Sequence, residues 1–243
     1  MTIPSPSHRG LRSALPQLVI TDGTLEALKY LGLVLMTLDH VDKYLFNGTC
    51  PAAFAAGRLA MPIFALVLAY NLARPGNLER GVYRRTALRL FAFGLLATPA
   101  FIALGGLAAG TYPLNIMFTL LIATVVMYLM DRCQWLVALL AFGLGGALVE
   151  FWWPAIGLCV AIWLYVRMPN WPRLVLVLMC LASLQTINGN AWALAVIPMV
   201  FLTRRRKLTL KRCRWLFYAY YPLHLTALWL IRVPMAKAGY LFF

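Results

Sequence analysis

Long apolar stretches, separated by short segments rich in charge, proline and glycine, dominate this chain. Stretches of about 17 to 25 apolar residues are long enough to cross a bilayer as helices, and shorter ones fit as tilted or half-spanning helices. About nine such stretches occur, and they cover residues 25–46, 53–73, 86–109, 114–130, 135–150, 153–167, 172–188, 190–202 and 215–232. The pattern predicts an all-α polytopic integral membrane protein with about nine transmembrane helices.

The charged residues give these predicted helices an orientation. Arginine and lysine concentrate in alternate connecting segments, most densely in residues 74–89 and 203–214. Because basic loops stay on the cytoplasmic side of a membrane, the asymmetry predicts a cytoplasmic N-terminus and, for nine helices, a periplasmic C-terminus. Residues 1–24 lack the apolar core of a signal peptide and are interpreted as a disordered cytoplasmic tail. Residues 25–243 are predicted to form one helical bundle.

Composition supports the membrane assignment. Of the 243 residues, 63% are hydrophobic and 12% are charged, whereas soluble proteins average about 25% charged residues. The formal net charge of +15 is explained by positive-inside loops, so no nucleic acid is expected as a partner. Residues 204–214 are expected to anchor the chain at the membrane, with anionic lipids as the alternative partner. The scattered cysteines predict neither a disulfide framework nor a zinc site.

A polar cluster ends the first apolar stretch. The segment LMTLDHVDKYLF, residues 35–46, places four ionisable residues in the last two turns of the predicted helix, namely Asp39, His40, Asp42 and Lys43. In the predicted orientation these residues lie near the outer leaflet. Ionisable groups there cost a few kcal/mol each toward lipid, so they should face the bundle interior or a wet cavity. The alternative is an interfacial cluster that simply ends the helix.

Other polar residues are predicted near the same membrane face, and they are Arg58, Asn115, Tyr221 and His224. A histidine beside an aspartate suits general-base catalysis, because a carboxylate fixes the imidazole tautomer. Arg58 or Asn115 could stabilise an oxyanion. A lone histidine on an apolar helix is more often structural, but two of them with an arginine and an aspartate are harder to explain by packing. Asp131 and Glu150, at the ends of later stretches, are interpreted as boundary residues. No metal site is expected, because HExxH-like spacing is missing.

Several sequence blocks occur in an order that is typical of a known family. They are LVLMTLDHV, AGRLAMPIFALVLAYNL, RRTALRLFAFGLL, LNIMFTL and YYPLHLTAL. In this order, between about residues 27 and 230, they resemble the TraX family, membrane proteins of conjugative plasmids. The resemblance implies an acyltransferase-like bundle in the bacterial inner membrane that transfers acetyl from acetyl-CoA to the N-terminal amine of conjugative pilin. It also implies kinship with membrane O-acyltransferases, which use a histidine near the end of the first helix.

The resemblance also implies roles for individual residues. His40 corresponds to the catalytic histidine and Asp39 to its companion. Arg58, Asn115 and His224 correspond to further motif positions, and their roles are inferred from their chemistry alone. Arg58 is expected to stabilise the oxyanion, and Asn115 and His224, together with Tyr221, are expected to position substrates.

Acetyl-CoA is cytoplasmic, whereas the amine of processed pilin is expected at the periplasmic face. The thioester must therefore reach through the bundle, and Arg84, Arg85 and Arg89 are expected to bind the CoA phosphates at its inner mouth. Simple positive-inside anchoring is the alternative for these arginines. The expected partners are pilin and membrane lipids. A non-catalytic membrane protein of pilin maturation or assembly, and a proton-coupled transporter, stay open as other functions.

Overall fold

The regular structure of the chain is helical throughout the part that the computed structural model describes, which comprises residues 15, 17–105, 108–109, 111–203, 208–211, 213 and 215–242. The helices are α1 (Asp22–Leu45), α2 (Pro51–Gly57), α3 (Ala60–Leu72), α4 (Val82–Leu104), α5 (Ile116–Asp131), α6 (Trp135–Gly146), α7 (Trp152–Arg167), α8 (Trp171–Ser183), α9 (Gln185–Asn188), α10 (Val196–Thr203) and α11 (Leu216–Lys237). A short 3-10 helix, Trp192–Ala195, precedes α10.

Several of these helices have the composition of membrane helices, and some of them also have the length. Within the described residues, three helical stretches are long and apolar enough to cross a membrane, and they are Pro51–Leu72, Val82–Leu104 and Trp171–Asn188. Shorter apolar helices cover Ile116–Asp131, Trp135–Gly146, Trp152–Arg167 and Trp192–Thr203. Helices α1 and α11, with 24 and 22 residues, carry much of the predicted polar site. The predicted all-α class is confirmed.

Some boundaries differ from those predicted from the apolar pattern. Helix α1 begins at Asp22 rather than at residue 25, because the Thr21 hydroxyl accepts a hydrogen bond from the backbone N–H of Thr24 at 3.3 Å and caps the helix. Ile20 is buried, and its N–H donates to the Tyr70 hydroxyl at 3.0 Å. The rest of the predicted tail, residues 1–14 and 16, and most of the basic segment 204–214 lie outside the described residues.

The helices around the centre of the protein form a closed ring. Its neighbours follow the order α1, α3, α7, α5, α4 and α11, and α11 packs back against α1. Gly32 allows α1 to approach α3 closely, because a Cβ atom there would lie 2.7 Å from Cε1 of Phe64. Helices α6 and α8 pack against α5 and α7 and leave large apolar side chains exposed, including Leu139 and Met179. The ring brings together residues from distant parts of the sequence.

Candidate active site

Two histidines from opposite ends of the sequence meet where α1 packs against α11. Nδ1 of His40 lies 2.8 Å from Nε2 of His224. The two rings are nearly parallel, with centroids 5.1 Å apart and planes inclined by 11°. His224 is buried and His40 is half-buried. The two histidines therefore act as a pair, which the sequence alone did not predict.

The hydrogen bonds of this histidine pair determine which nitrogen of His40 is available as a base. Nδ1 of His224 lies 3.0 Å from the carbonyl oxygen of Tyr220, and a carbonyl can only accept, so this Nδ1 carries the hydrogen. In a neutral imidazole the other nitrogen is an acceptor, so Nε2 of His224 accepts from Nδ1–H of His40. Nε2 of His40 then holds a lone pair, and no described residue hydrogen-bonds to it.

Asp39 pairs with Arg58 rather than with His40. Nη2 of Arg58 donates to both carboxylate oxygens of Asp39 at 2.6 Å, and the two side chains are only 14% and 12% exposed. Gly57 permits this approach, because a Cβ atom there would lie 2.3 Å from Cβ of Asp39. The expectation that Asp39 orients His40 is corrected: consecutive helical residues point about 100° apart, and the orienting position is occupied by His224.

The ion pair predicts a stability effect for Asp39→Asn. The substitution leaves the buried Arg58 guanidinium without its counter-charge, so the free energy of unfolding should fall by about 3–5 kcal/mol. This change in the free energy of unfolding can be measured by unfolding the detergent-solubilised protein with SDS. The double variant Asp39→Asn, Arg58→Gln should recover much of the loss, because no unpaired charge remains. If the double variant lost as much stability as the two single variants added together, the pairing would be contradicted.

The remaining residues of the first polar cluster have other roles. Oδ1 of Asp42 accepts from the backbone N–H of Cys50 at 2.8 Å, and its carbonyl accepts from the N–H of Gly48 at 2.9 Å. Asp42 therefore fixes the loop that follows α1. Lys43 is exposed, and its Nζ lies 5.0 Å from the ring centroid of Tyr44. Of the four residues of the polar cluster, only Asp39 and His40 therefore face the candidate site.

Tyrosines surround the histidine pair. The ring centroid of Tyr44 lies 5.4 Å from that of His40, and those of Tyr220 and Tyr221 lie 5.3 and 5.5 Å from that of His224. Tyr221 and Tyr44 are buried. Tyr221, whose expected role is to position substrate, is thus next to the histidines. Tyrosine rings from α1 and α11 therefore pack around the histidine pair.

Asn115 has a different environment from the one expected. Its Oδ1 accepts from the backbone N–H of Met117 at 3.1 Å and caps α5. Its Nδ2 donates to the carbonyl of Gly94 at 3.1 Å and to the hydroxyl of Thr98 at 3.2 Å. Both amide hydrogens are therefore used inside the protein. The structure therefore gives Asn115 the role of a helix cap that joins α5 to α4, and its substrate-binding role stays a prediction.

Glu150, interpreted from the sequence as a boundary residue, belongs to the same end of the ring. Its N–H donates to the carbonyl of Leu114 at 2.9 Å, and its carbonyl accepts from the Thr119 hydroxyl at 2.8 Å. Its carboxylate interacts electrostatically with groups of the candidate site, namely Lys43, Arg58, Asp39, Tyr44 and Tyr221. Burial raises the pKa of Glu150 to about 7, although the charge of Lys43 opposes this shift. No local motif marks Glu150, because its neighbours come from other helices.

A basic cavity of about 400 Å³ opens near the other end of α1. Its basic lining residues are Lys29, Arg74, Arg80, Arg85 and Arg89. Arg85 and Arg89, two of the three arginines expected to bind acetyl-CoA, therefore line the same cavity. Arg84 lines a separate cavity with Tyr83 and Tyr128, because it points about 100° away from Arg85 on the same helix. Arg84 is therefore separated from the other two arginines, and its cofactor-binding role stays a prediction.

The cations of the basic cavity differ in their availability. Several already interact with other groups of the protein. Lys29 forms an ion pair with Glu26, and Arg74 forms one with Asp22. Arg80 donates hydrogen bonds to the carbonyls of Pro75 and Gly76. The guanidinium of Arg89 lies over the ring of Trp215, 4.7 Å from its centroid. Within the described residues, neither Arg85 nor Arg89 forms an ion pair with a carboxylate. These two arginines are available for an anionic ligand.

The fold and site define a class of protein: an all-helical bundle of membrane-type helices, with a histidine pair at one end and a basic cavity near the other. The profile of the family described as "TraX protein" matches residues 24–232. The chain is 31% identical over 195 residues to Protein TraX of Escherichia coli, covering 76% of this chain and 75% of that one. It is 32% identical over 196 residues to Protein TraX of Escherichia coli strain K12, with coverage of 76% and 75%. The chain belongs to the TraX family, as its sequence blocks predicted. No solved structure matches it.

Proposed function

We propose that this protein is a membrane acetyltransferase that transfers acetyl from acetyl-CoA to the N-terminal amine of conjugative pilin. The observation that carries the proposal is the free Nε2 of His40, held by His224 at one end of the ring, with a basic cavity near the other end. The resemblance that the sequence blocks indicated supplies the donor and the acceptor. The geometry supports a base and an anion-binding site, which acyl transfer from a phosphorylated thioester needs.

The proposal includes a location and an orientation. The protein lies in the bacterial inner membrane with nine membrane-spanning units and a cytoplasmic N-terminus. The α2–α3 pair forms one unit, α8–α9 another, and the 3-10 helix with α10 a third. The basic loops then lie in the cytoplasm, so that the Arg85 cavity opens toward the cytoplasmic pool of acetyl-CoA. His40 lies near the periplasmic face, where processed pilin presents its amine.

Acetyl-CoA would bind with its phosphates on Arg85 and Arg89, whose planar guanidinium groups suit paired hydrogen bonds to phosphate oxygens. The thioester must then approach His40. Lys29 lines the basic cavity and His40 follows it on α1 by about 16 Å of helix rise. Between them, the Thr37 and Tyr220 hydroxyls are hydrogen-bonded at 2.7 Å. These hydroxyls must separate to admit the pantetheine arm.

His40 would act as the general base. Nε2 of His40 removes a proton from the acceptor amine while the amine nitrogen attacks the thioester carbonyl, and the C–S bond then breaks. An α-amine has a pKa near 8, so an imidazole suits this task. Nε2 of His224 accepts from Nδ1–H and stabilises the imidazolium, which then returns its proton to the departing thiolate. Arg58, whose Nη2 holds Asp39, would stabilise the oxyanion through Nη1.

The test is direct acetyl transfer by purified protein in lipid nanodiscs. Isotope-labelled acetyl-CoA and a pilin N-terminal peptide with a free amine are incubated together, and mass spectrometry locates the label. We expect one acetyl group on the terminal amine. A non-catalytic pilin-assembly protein or a proton-coupled transporter would leave both reactants unchanged, and this result would refute the proposal.

A further inference from the structure

We propose that the groove between α3, α7, α8 and α10 binds one acyl chain of an anionic phospholipid, whose phosphate group is held by Arg173. The inference goes beyond the proposed function, because the groove shares no lining residue with the basic cavity and its ligand is neither acetyl-CoA nor pilin.

The groove is a narrow apolar space between the helical ring and the outer helices α8 and α10, with a volume of about 150 Å³. Leu158 and Ile162 of α7 and Leu181 of α8 are buried and form its inner walls. Leu178 of α8 and Phe201 of α10 also line the groove but are exposed. The groove therefore opens toward the surroundings of the bundle, which are lipid in the proposed location.

The size of the groove suits an acyl chain and excludes a helix. One turn of an α-helix, about 5.4 Å long and 10 Å across, occupies roughly 400 Å³, which exceeds the volume of the groove. An apolar cavity of about 150 Å³ holds an apolar group of about six carbons. If the space stayed empty, its walls would lose their dispersion contacts on one side. Acyl chains are the apolar groups that surround a membrane helix, so a chain is expected to fill it.

Helix α10 gains a connection to the bundle from such a chain. It packs mainly against the 3-10 helix that precedes it, and that 3-10 helix packs against α8. Val196 and Val200 of α10 face the groove, opposite Pro62 and Leu66 of α3. A chain in the groove would contact both helices and join α10 to the ring.

A cation with unused hydrogen-bond donors lies at one end of the groove. Arg173 precedes Leu174, the first residue of α8 that lines the groove. Its Nη1 donates to the carbonyls of Leu164 at 3.3 Å and Met168 at 2.7 Å, which fixes the guanidinium against the end of α7. Within the described residues, its Nε–H and Nη2–H groups donate to no other residue and it pairs with no carboxylate. These parallel N–H groups suit two oxygens of one phosphate.

The neighbourhood of Arg173 has the character of a membrane interface. Trp171, at the start of α8, is 63% exposed, and tryptophan is enriched at the level of the lipid headgroups. Arg167 is already paired with Asp131, so this carboxylate does not neutralise Arg173. A phospholipid with a net negative charge balances Arg173, whereas a zwitterionic one brings its own cation.

The headgroup, rather than the chain, gives the site its selectivity. An acyl chain gains little when it leaves one apolar environment for another. A basic residue near the membrane surface favours an anionic lipid by about fivefold. The groove therefore holds the chain in place, and Arg173 selects the lipid.

The test compares two lipids with the same chains, dioleoyl phosphatidylglycerol and dioleoyl phosphatidylcholine. The full-length protein is incubated with each lipid in detergent, and native mass spectrometry counts the lipids that stay bound. The wild type should retain one phosphatidylglycerol about fivefold better than phosphatidylcholine. Arg173→Gln should remove this preference and Arg173→Lys should keep part of it. Arg132→Gln, the same change at an exposed arginine between α5 and α6, should behave as the wild type.

A second pair of variants tests the groove itself. Leu178→Trp places a bulky ring in the groove and should abolish retention of the lipid. Leu176→Trp is the matched control, because Leu176 lies on the same helix with the same 39% exposure but does not line the groove. The yield and the SDS unfolding midpoint of both variants show that they are folded.

Three results would overturn the inference. They are equal retention of the two lipids by the wild type, unchanged retention by folded Leu178→Trp, and an unchanged preference in Arg173→Gln. A bound polypeptide instead of a lipid, lost in Leu178→Trp, would assign the groove to a protein partner and also overturn it. Because no acetyl-CoA or pilin is present, none of these results bears on the proposed function.

Discussion

His40→Ala should lower acetyl transfer by about 10²–10⁴-fold, the usual contribution of a positioned general base. The protein should still fold and insert, because His40 is half-buried near the end of α1 and its only hydrogen bond in the described structure is to His224. The rate of transfer to a pilin peptide, together with the yield and the SDS unfolding midpoint, checks this prediction. If purified His40→Ala protein transferred acetyl at the wild-type rate, the catalytic role proposed for the histidine pair would be contradicted.

His224→Ala should cost nearly as much activity as His40→Ala, and the double variant should lose little more, because the two residues act as a unit. His224→Gln should recover part of the activity, since its amide oxygen can accept from Nδ1–H of His40. A purely structural role for His224 predicts no such difference between Ala and Gln at equal stability. Additive losses in the double variant would contradict the pairing.

Replacing Arg85 and Arg89 together by glutamine should raise the KM for acetyl-CoA by about tenfold for each arginine, since hydrogen bonds to charged groups contribute about 1.5–3 kcal/mol. The KM for the pilin peptide should change much less. Initial rates at varied concentrations of each substrate measure both constants.

Arg84→Gln is the matched control for this experiment. Arg84 carries the same charge on the same helix but lines a different cavity, so its removal should leave the KM for acetyl-CoA near the wild-type value. Equal effects of Arg84→Gln and Arg85→Gln would mean that these arginines act only through the general positive charge of the membrane surface.

Much of the fold followed from the apolar pattern, because a chain in lipid must satisfy its backbone hydrogen bonds within helices. The start of α1 differed because residues before the apolar stretch, including Ile20, pack into the bundle through Tyr70. The order of helices around the ring was not predictable, since apolar helices carry little information about which neighbour each one contacts. That order is what joins α11 to α1 and creates the histidine pair.

The candidate site was only partly predictable, for a related reason. Asp39 and His40 are consecutive in the sequence, which suggested a direct interaction between them. On a helix their side chains point in different directions, so Asp39 pairs with Arg58 and His40 pairs with His224. Arg84 and Arg85 were separated by the same geometry. Glu150 lies between α6 and α7, as expected of a boundary residue, but its hydrogen bond with Thr119 of α5 depends on packing and could not be predicted from the sequence. The residue types therefore indicated which side chains could act as a base or bind an anion. Which residues contact one another depends on how the helices pack and could not be predicted.

Transfer across a sealed membrane tests the central claim most directly. The protein is reconstituted in vesicles and its orientation is determined by protease access to the loop before α4. Labelled acetyl-CoA is supplied only on the side of Arg85 and the pilin peptide only on the side of His40. We predict label on the N-terminal amine of the peptide, and none with His40→Ala. If acetylation occurs only when both substrates are on the same side, or not at all, the proposed route through the helical ring is wrong.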